Sequence, residues 1–123
     1  MATEFKRKTM GDVPNTALPN TSDGTSDLYT VPSNCDTVII GLLLTNISAG
    51  AIIADALIEV QSGQGEDVFL LKNANIPYGS ALEVISGKVI VANTGSGVGD
   101  TLQVRCQTGA THMDAIVSIL ENT

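Results

Sequence analysis

The sequence predicts an all-β fold: an antiparallel β-sandwich, jelly-roll-like, with about eight strands and an extended N-terminal arm. Three observations predict it. Short segments rich in Val, Ile, Leu and Ala recur along the chain, turn residues separate them at roughly 8–12 positions, and no convincing stretch has the period of a helix. The chain has 123 residues, the size of a single domain.

The first two predicted strands are defined by how they end, and the third is defined by its alternation. Leu28–Val31 is closed by Pro32, which cannot continue a central strand. Thr37–Asn46 is the longest segment and stops before the turn residues Ser48-Ala49-Gly50. Ile52–Val60 alternates, so its small and apolar side chains share one face and its two carboxylates the other.

The later predicted strands, in order, are Asp67–Lys72, Ala81–Ile85, Lys88–Ala92, Thr101–Gln107 and Met113–Leu120. The turn Ser62-Gly63-Gln64-Gly65 predicts a hairpin into Asp67–Lys72. Ser86-Gly87 predicts a tight return between Ala81–Ile85 and Lys88–Ala92. The strand Thr101–Gln107 alternates regularly, with Leu102, Val104 and Cys106 predicted to face inward.

Residues 1–25 differ from the rest, because Pro, Asn, Gly and Thr dominate them and no hydrophobic period is present. Such a segment lacks the apolar side chains that would order it within a monomer. The sequence therefore predicts an extended arm over 1–25, lying along a neighbouring subunit or mobile, and a β-sandwich domain over 26–123. The basic run Lys6-Arg7-Lys8 would contact an acidic neighbour or remain a solvated terminus.

Two predicted strands are apolar on both faces. In Val38–Leu44, and again in Met113–Leu120, apolar side chains occupy consecutive positions, although a sandwich strand normally keeps one face wet. Another subunit would cover the outer faces, or a loop or the arm of the same chain would. The sequence favours a homo-oligomer, with these predicted interaction residues: Phe5, Lys6, Arg7, Lys8, Ile39 and Leu43.

Charge and cysteine content exclude several classes of function. The net charge is −7, so the body would repel phosphate and direct binding of nucleic acid is not expected. No signal peptide and no apolar run of membrane-spanning length is evident, so we expect folding in a reducing cytosol and no membrane partner. Cys35 and Cys106 are too few for a disulfide framework, and buried free thiols are expected.

The sequence offers no convincing catalytic set. His112 is the only histidine and follows a turn, where a solvated side chain is the common case. Cys35 is flanked by Asp36, a carboxylate, and a neighbouring carboxylate does not activate a thiol as a nucleophile. Gly95-Ser96-Gly97-Val98-Gly99 precedes a strand and lacks the Lys-Ser/Thr of a phosphate-binding loop. We therefore expect no catalytic residue, no metal and no cofactor.

Several segments resemble a module of bacteriophage structural proteins. The segments are Leu28-Tyr29-Thr30-Val31-Pro32, the apolar strand into Thr45-Asn46-Ile47-Ser48, Ile76-Pro77-Tyr78-Gly79-Ser80-Ala81-Leu82, Gly99-Asp100 and Ser118-Ile119-Leu120-Glu121. The opening Ala2–Thr9 is similar to small virion proteins of tailed phages that infect cyanobacteria. The match covers most of the chain but consists of strands and turns, without a diagnostic site.

This resemblance implies a virion component that is assembled in the host bacterial cytoplasm. The first expectation is a capsid decoration (cement) protein, and neck, tail or baseplate subunits are the alternatives. Its partners would be other copies, a trimer being favoured on a capsid, and the major capsid or tail and neck proteins. A receptor- or carbohydrate-binding module is a further alternative, for which Tyr78 is the obvious exposed aromatic.

Overall fold

The structure, a computed structural model, describes residues 3–21, 24–61, 63–85, 87–95 and 98–123. These residues form strands and connecting segments and contain no helix, hence none long and apolar enough to cross a membrane. The strands are β1 (Thr3–Met10), β2 (Asp27–Thr30), β3 (Cys35–Asn46), β4 (Ile52–Glu59), β5 (Val68–Ile76), β6 (Ala81–Glu83), β7 (Val89–Asn93), β8 (Thr101–Cys106) and β9 (Met113–Asn122).

The strands form two antiparallel sheets, which confirms the predicted all-β sandwich class. Sheet A has the order β1-β9-β3-β6, and its fifth strand, β7, also pairs with β3. Sheet B has the order β2-β8-β4-β5. The pairs β1–β9, β2–β8, β3–β7 and β4–β5 are nested in sequence, as in one long hairpin whose two halves wind from sheet to sheet.

The pairing of β3 with β9 forms the centre of sheet A. It runs from Asp36 opposite Asn122 to Asn46 opposite Met113, and its register shifts once, between Ile39 and Gly41. Ile40 is the extra residue of this bulge. Because a bulge adds one residue to one strand, the alternation of inward and outward side chains is reversed beyond it.

Side chains from both sheets fill the space between them. The alternation predicted for β8 is confirmed, since Leu102, Val104 and Cys106 lie in the core. Both cysteines are buried and free, as expected. The inward residues of the other strands include Ile39, Leu42, Leu44, Ala54, Ala56, Ile58, Val91, Met113, Ala115, Val117 and Ile119.

The prediction of a separate arm over residues 1–25 is wrong for the part of it that the structure describes. Thr3–Met10 forms β1 and pairs along its whole length with β9 of the same chain. Just beyond it, Val13 is fully buried in the core and donates its amide hydrogen to the Met113 carbonyl at 2.8 Å. Sequence patterning missed this segment because backbone pairing, the buried Val13 and the ion pair of Lys6 with Glu121 hold it, rather than an amphipathic period.

The chain then crosses to sheet B and covers part of its outer face. Asn20 is buried there, and its backbone amide donates to Gln103 Oε1 at 3.0 Å while Gln103 Nε2 donates to the Asn20 carbonyl at 2.7 Å. Arg105 Nε donates to the Asn15 carbonyl at 2.9 Å. Gln103 and Arg105, two outward polar residues of β8, are therefore capped by the chain's own N-terminal segment.

Two predicted boundaries also require correction. Strand β5 continues to Ile76, although Asn73 adopts a left-handed conformation with φ of 54°. Strands β6 and β7 do not fold back on each other, because both pair with β3, one near Leu43 and the other near Val38. Ser86, part of the predicted return, lies outside the described residues.

Gly99 occupies a tight contact between the two sheets. It is buried where the chain leaving β2 passes the end of β7, and Asn93 Nδ2 donates to the Val31 carbonyl at 3.2 Å beside it. A methyl group at Gly99 would lie 2.6 Å from that carbonyl oxygen and 2.7 Å from Asn93 Cβ. Both distances are too short for ordinary van der Waals contact.

We therefore predict that Gly99→Ala lowers the free energy of unfolding by about 1–3 kcal/mol, the usual cost of overpacking a closed site. Urea denaturation would measure it. Gly50→Ala is the matched control, since a methyl group there meets no atom within 4 Å. Equal stability of the two variants would contradict the close packing of Gly99.

Candidate interaction face

The outer face of sheet A carries a row of apolar side chains that crosses the sheet from edge to edge. Ile90 of β7 lies opposite Val38 of β3. Val38 lies opposite Leu120 of β9, which in turn lies opposite Phe5 of β1. Directly opposed residues point to the same side of a sheet, so these four side chains form one continuous line.

A second row lies four residues further along β1 and β9, beyond the bulge. Leu43 is opposite Ile116 on one side and Glu83 on the other, and Ile116 is opposite Thr9. Ile40, the extra residue of the bulge, lies between the two rows and is exposed. We call this surface the apolar face and define it by Phe5, Val38, Ile40, Leu43, Ile90, Ile116 and Leu120.

The apolar face is accessible in the described part of the chain. Phe5 and Ile90, at opposite ends of the first row, are 78% and 74% exposed, and Ile40 and Leu43 are each 38% exposed. Strand β1 extends the sheet at its edge instead of lying across the face, so it does not supply the cover that the sequence analysis considered. Contiguous exposed apolar surface of this kind is typical of interaction sites.

The apolar face has two shallow depressions and is bordered by charged residues. One shallow depression lies between Phe5, Arg7 and Ile40, and another between Leu43, Glu83 and Ile116. Arg7 belongs to the outward side of β1, and Glu83 to the outward side of β6 at the opposite edge. Apolar side chains thus occupy the middle, with a cation at one edge and an anion at the other.

No protein-family model matches the chain, and no curated protein matches it. The functional assignment therefore depends on the geometry of the face and on the sequence patterns described above.

The predicted interaction residues fall into three groups. Phe5, Arg7 and Leu43 lie on the apolar face. Lys6 and Lys8 alternate with them on β1 and are directed to the inner side of sheet A, since they lie opposite the buried Ile119 and Val117. Ile39 is wrong: it is fully buried in the core.

The bulge explains the error at Ile39. Regular alternation would place Ile39 and Leu43, four residues apart, on one face. The extra residue at Ile40 reverses the alternation of inward and outward side chains, so Ile39 faces the core and Leu43 faces outward. The same argument shows why Ile40 and Ile90 were missed: no composition signal separates outward from inward isoleucines in such strands.

A buried polar cluster fastens β1 to the body of the sandwich. Glu121, on the inner side of β9, is 5% exposed and accepts a hydrogen bond from the Tyr29 hydroxyl at 2.5 Å. Lys6 Nζ lies 2.8 Å from Glu121 Oε1. The Tyr29 and Thr37 hydroxyls are 2.8 Å apart. Strands β1, β2, β3 and β9 therefore meet at one carboxylate.

The cluster changes the ionisation of its members. Burial alone would raise the pKa of Glu121, but hydrogen bonds from Lys6 and Tyr29 and the positive charges of Lys6 and Lys8 lower it below its ordinary 4.5. The bond to Glu121 and its charge raise the pKa of Lys6 above 10.5. Burial, reinforced by Glu121, raises the pKa of Tyr29 above its ordinary 10. At neutral pH the cluster is a lysine cation, a carboxylate and a neutral phenol.

A second buried carboxylate, Asp55, is enclosed on the outer side of sheet B. It accepts hydrogen bonds from Gln107 Nε2 at 2.9 and 3.0 Å and from the Asn73 amide at 2.7 Å, and Arg105 Nη1 lies 3.4 Å away. Its contacts are all with its own sheet, so it has the character of a structural anchor for β5 and β8.

The residues considered for other chemistry are dispersed. His112 is half-buried beside its turn, within 3.5 Å of the Thr111 hydroxyl. Tyr78 is exposed in the turn before β6. In the residues that the structure describes, no group of three or more His, Cys, Asp or Glu could hold a metal ion. Ser96 and Gly97 of the glycine-rich loop lie outside that part of the chain.

We predict that Ile39→Ala lowers the free energy of unfolding by about 2–5 kcal/mol, the range for truncating a fully buried aliphatic side chain. Leu43→Ala should cost clearly less, because that side chain is 38% exposed and its truncation leaves no closed cavity. Thermal or urea unfolding of the two variants compares them directly. Similar losses would contradict the reversal of faces at the bulge.

We predict that Glu121 contributes stability that depends on pH. A carboxylate whose pKa is lowered by folding stabilises the folded state above its unfolded pKa of about 4.5 and loses that contribution as the pH falls through the folded value. The difference in unfolding free energy between the wild type and Glu121→Gln should therefore shrink as the pH is lowered from 7 to 3.

Glu59→Gln provides a contrasting control, since burial and the charges of Asp67 and Asp27 raise the pKa of Glu59 above 4.5. Its carboxyl group favours folding more at low pH than at high pH, so the wild-type minus variant difference should decline as the pH rises. If Glu121→Gln unfolds with the same pH dependence as the wild type, the cluster does not hold β1 as described.

Proposed function

We propose that this protein is a non-enzymatic structural subunit of a bacteriophage virion, and that it is a capsid decoration (cement) protein. In this function it binds by its surface to other copies and to the major capsid protein, and so strengthens the particle. Neck, tail or baseplate location is the alternative within the same class.

The observation that carries the proposal is the difference between the two outer faces of the sandwich. The N-terminal segment caps part of the outer side of sheet B, where Leu57 and Gln103 are buried. The outer side of sheet A instead leaves Phe5 and Ile90 more than two-thirds exposed. Ile53 and Phe69 of sheet B are 39% exposed, so the difference between the faces is one of degree. A domain that caps part of one face with its own chain and leaves the most exposed apolar side chains on the other is suited to association, because burying that area releases water.

The strand order supports the finer description of the fold as a jelly roll. A long hairpin with nested pairs, wound so that β9 lies beside β3 in one sheet and β8 beside β4 in the other, is the arrangement of two Greek keys in eight strands. Here β6 and β7 together take the place of one strand on β3. Jelly rolls are frequent in viral capsid domains, although a fold alone does not determine a function.

The sequence resemblance adds the virion context, and the fold clarifies how the N-terminus would take part. Assembly does not require a free arm that reaches a neighbour, because β1 completes sheet A and brings Phe5 and Arg7 to its outer side. Partners would be further copies of the chain, as a trimer if it is bound to a capsid, and a capsid, neck or tail protein. The protein would reside in the virion after assembly in the bacterial cytoplasm.

We predict that this protein is present in many copies in purified phage particles, where quantitative mass spectrometry would count it. Particles assembled in cells that supply Leu43→Asp should lack it, because a carboxylate in the middle of the apolar face would have to be buried unpaired. Val68→Asp, at a similarly exposed position of sheet B, is the control and should be incorporated normally. A protein abundant in infected cells but absent from particles would refute the proposal.

A further inference from the structure

We propose that the apolar face of sheet A binds the same face of a second copy, about a two-fold axis parallel to the strands and midway between β3 and β9. This inference rests on the proposed assembly function and deepens it by naming the partner and its orientation. It follows from the order of side chains along the rows.

The first row can pack against the same row of a second copy that runs in the opposite order. Rotation about this axis exchanges β9 with β3 and β1 with β7, while keeping each residue at the same height along the strands. Phe5 of one copy then meets Ile90 of the second copy, and Leu120 meets Val38. The two most exposed members of the face, at opposite ends of the row, would bury each other twice in the dimer.

The second row matches in the same way. Leu43 of one copy meets Ile116 of the second, and Thr9 meets Glu83. Arg7 lies one outward position along β1 from Thr9, so its long side chain comes within reach of Glu83 of the second copy. At the two ends of the face, Asp36 meets Asn122 and Asp114 meets Thr45, because these residues are opposed within each sheet.

This orientation is favoured over the other two-fold arrangement of the same surfaces. An axis running across the strands would place β1 on β1 and bring Arg7 close to Arg7 of the second copy, with both Glu83 carboxylates at the opposite edge. Like charges facing each other across an interface oppose binding. The axis parallel to the strands puts each cation near an anion instead.

The net charge also favours this face over the rest of the surface. Each chain carries −7, so two copies repel each other in general. At the edges of the apolar face Arg7 and Glu83 compensate each other, and at its ends Asp36 and Asp114 meet the uncharged Asn122 and Thr45. The depressions beside Ile40 and Leu43 leave room for side chains of the facing sheet. Two sheets can pack in this aligned manner at about 10 Å.

A contact of this kind is isologous and closes with two copies. A trimer, as expected on a capsid, would therefore need a second and different contact, and the dimer would be one of two interactions in the particle. The isolated full-length protein is sufficient to test the dimer.

Sedimentation velocity and light scattering of the purified chain should show a dimer that dissociates on dilution. Arg7→Glu and Glu83→Arg should each raise the dissociation constant about tenfold or more, because each reversal creates two like-charge contacts per dimer. The double variant Arg7→Glu/Glu83→Arg should recover most of the affinity. Phe5→Ser and Ile90→Ser should both give monomers.

Lys72→Glu and Glu66→Arg make the same charge changes on or beside sheet B and should leave the dissociation constant unchanged. Failure of the double variant to recover affinity would overturn the proposed orientation. A monomeric wild type, or an oligomer insensitive to Phe5→Ser and Ile90→Ser, would overturn the inference itself. Either result leaves the proposed function standing if the protein is found in virions, where the face would then bind a different protein.

Discussion

The bulge at Ile40 is the constraint on which the two faces of sheet A depend. Before it, Cys35, Thr37 and Ile39 face inward, and beyond it Leu42 and Leu44 do. Unbroken alternation after Ile39 would have directed Gly41, Leu43 and Thr45 into the core and left Leu42 and Leu44 in water. One extra residue thus keeps large aliphatic side chains inside over the whole strand.

The same residue determines what sheet A shows to solvent. Val38 and Ile40 face outward before the reversal and Leu43 after it, so the outer side is apolar on both sides of the bulge. Strand β9 has no bulge in its pairing with β1, and its outward Ile116 and Leu120 continue the apolar area. The apolar face is therefore built into the central strand pair and does not depend on the conformation of a loop.

Much of the fold could be predicted from the sequence, and the failures have identifiable causes. Strands such as Ile52–Glu59 and Thr101–Cys106 alternate regularly, so their existence and their inward faces follow from composition alone. Strand β1 could not be found this way, because its side chains are exposed on both sides and its position depends on β9 and on Glu121, more than a hundred residues away. Long-range polar pairs of this kind leave no local pattern.

The candidate site shows the same division. The doubly apolar strands predict an apolar outer face that includes Leu43, and the N-terminal segment predicts Phe5 as an interaction residue; both side chains are exposed. Ile39 was misplaced because a bulge cannot be located from apolar residues on both faces of a strand. Ile90 became significant only when pairing with β3 placed it in line with Phe5.

The edges of the sheets bear on how copies associate. Strand β1 presents Lys6, Arg7 and Lys8 in succession at one edge of sheet A, and charged residues on an edge strand discourage pairing with another chain. At the edges of sheet B, β2 has only four residues and β5 is irregular in its register with β4. Pairing of one sheet edge with a different edge of the next copy would extend without limit, whereas two-fold contact between two apolar faces closes after one copy has bound. The proposed assembly function would require the second behaviour, since unlimited pairing would consume subunits before they reached a particle.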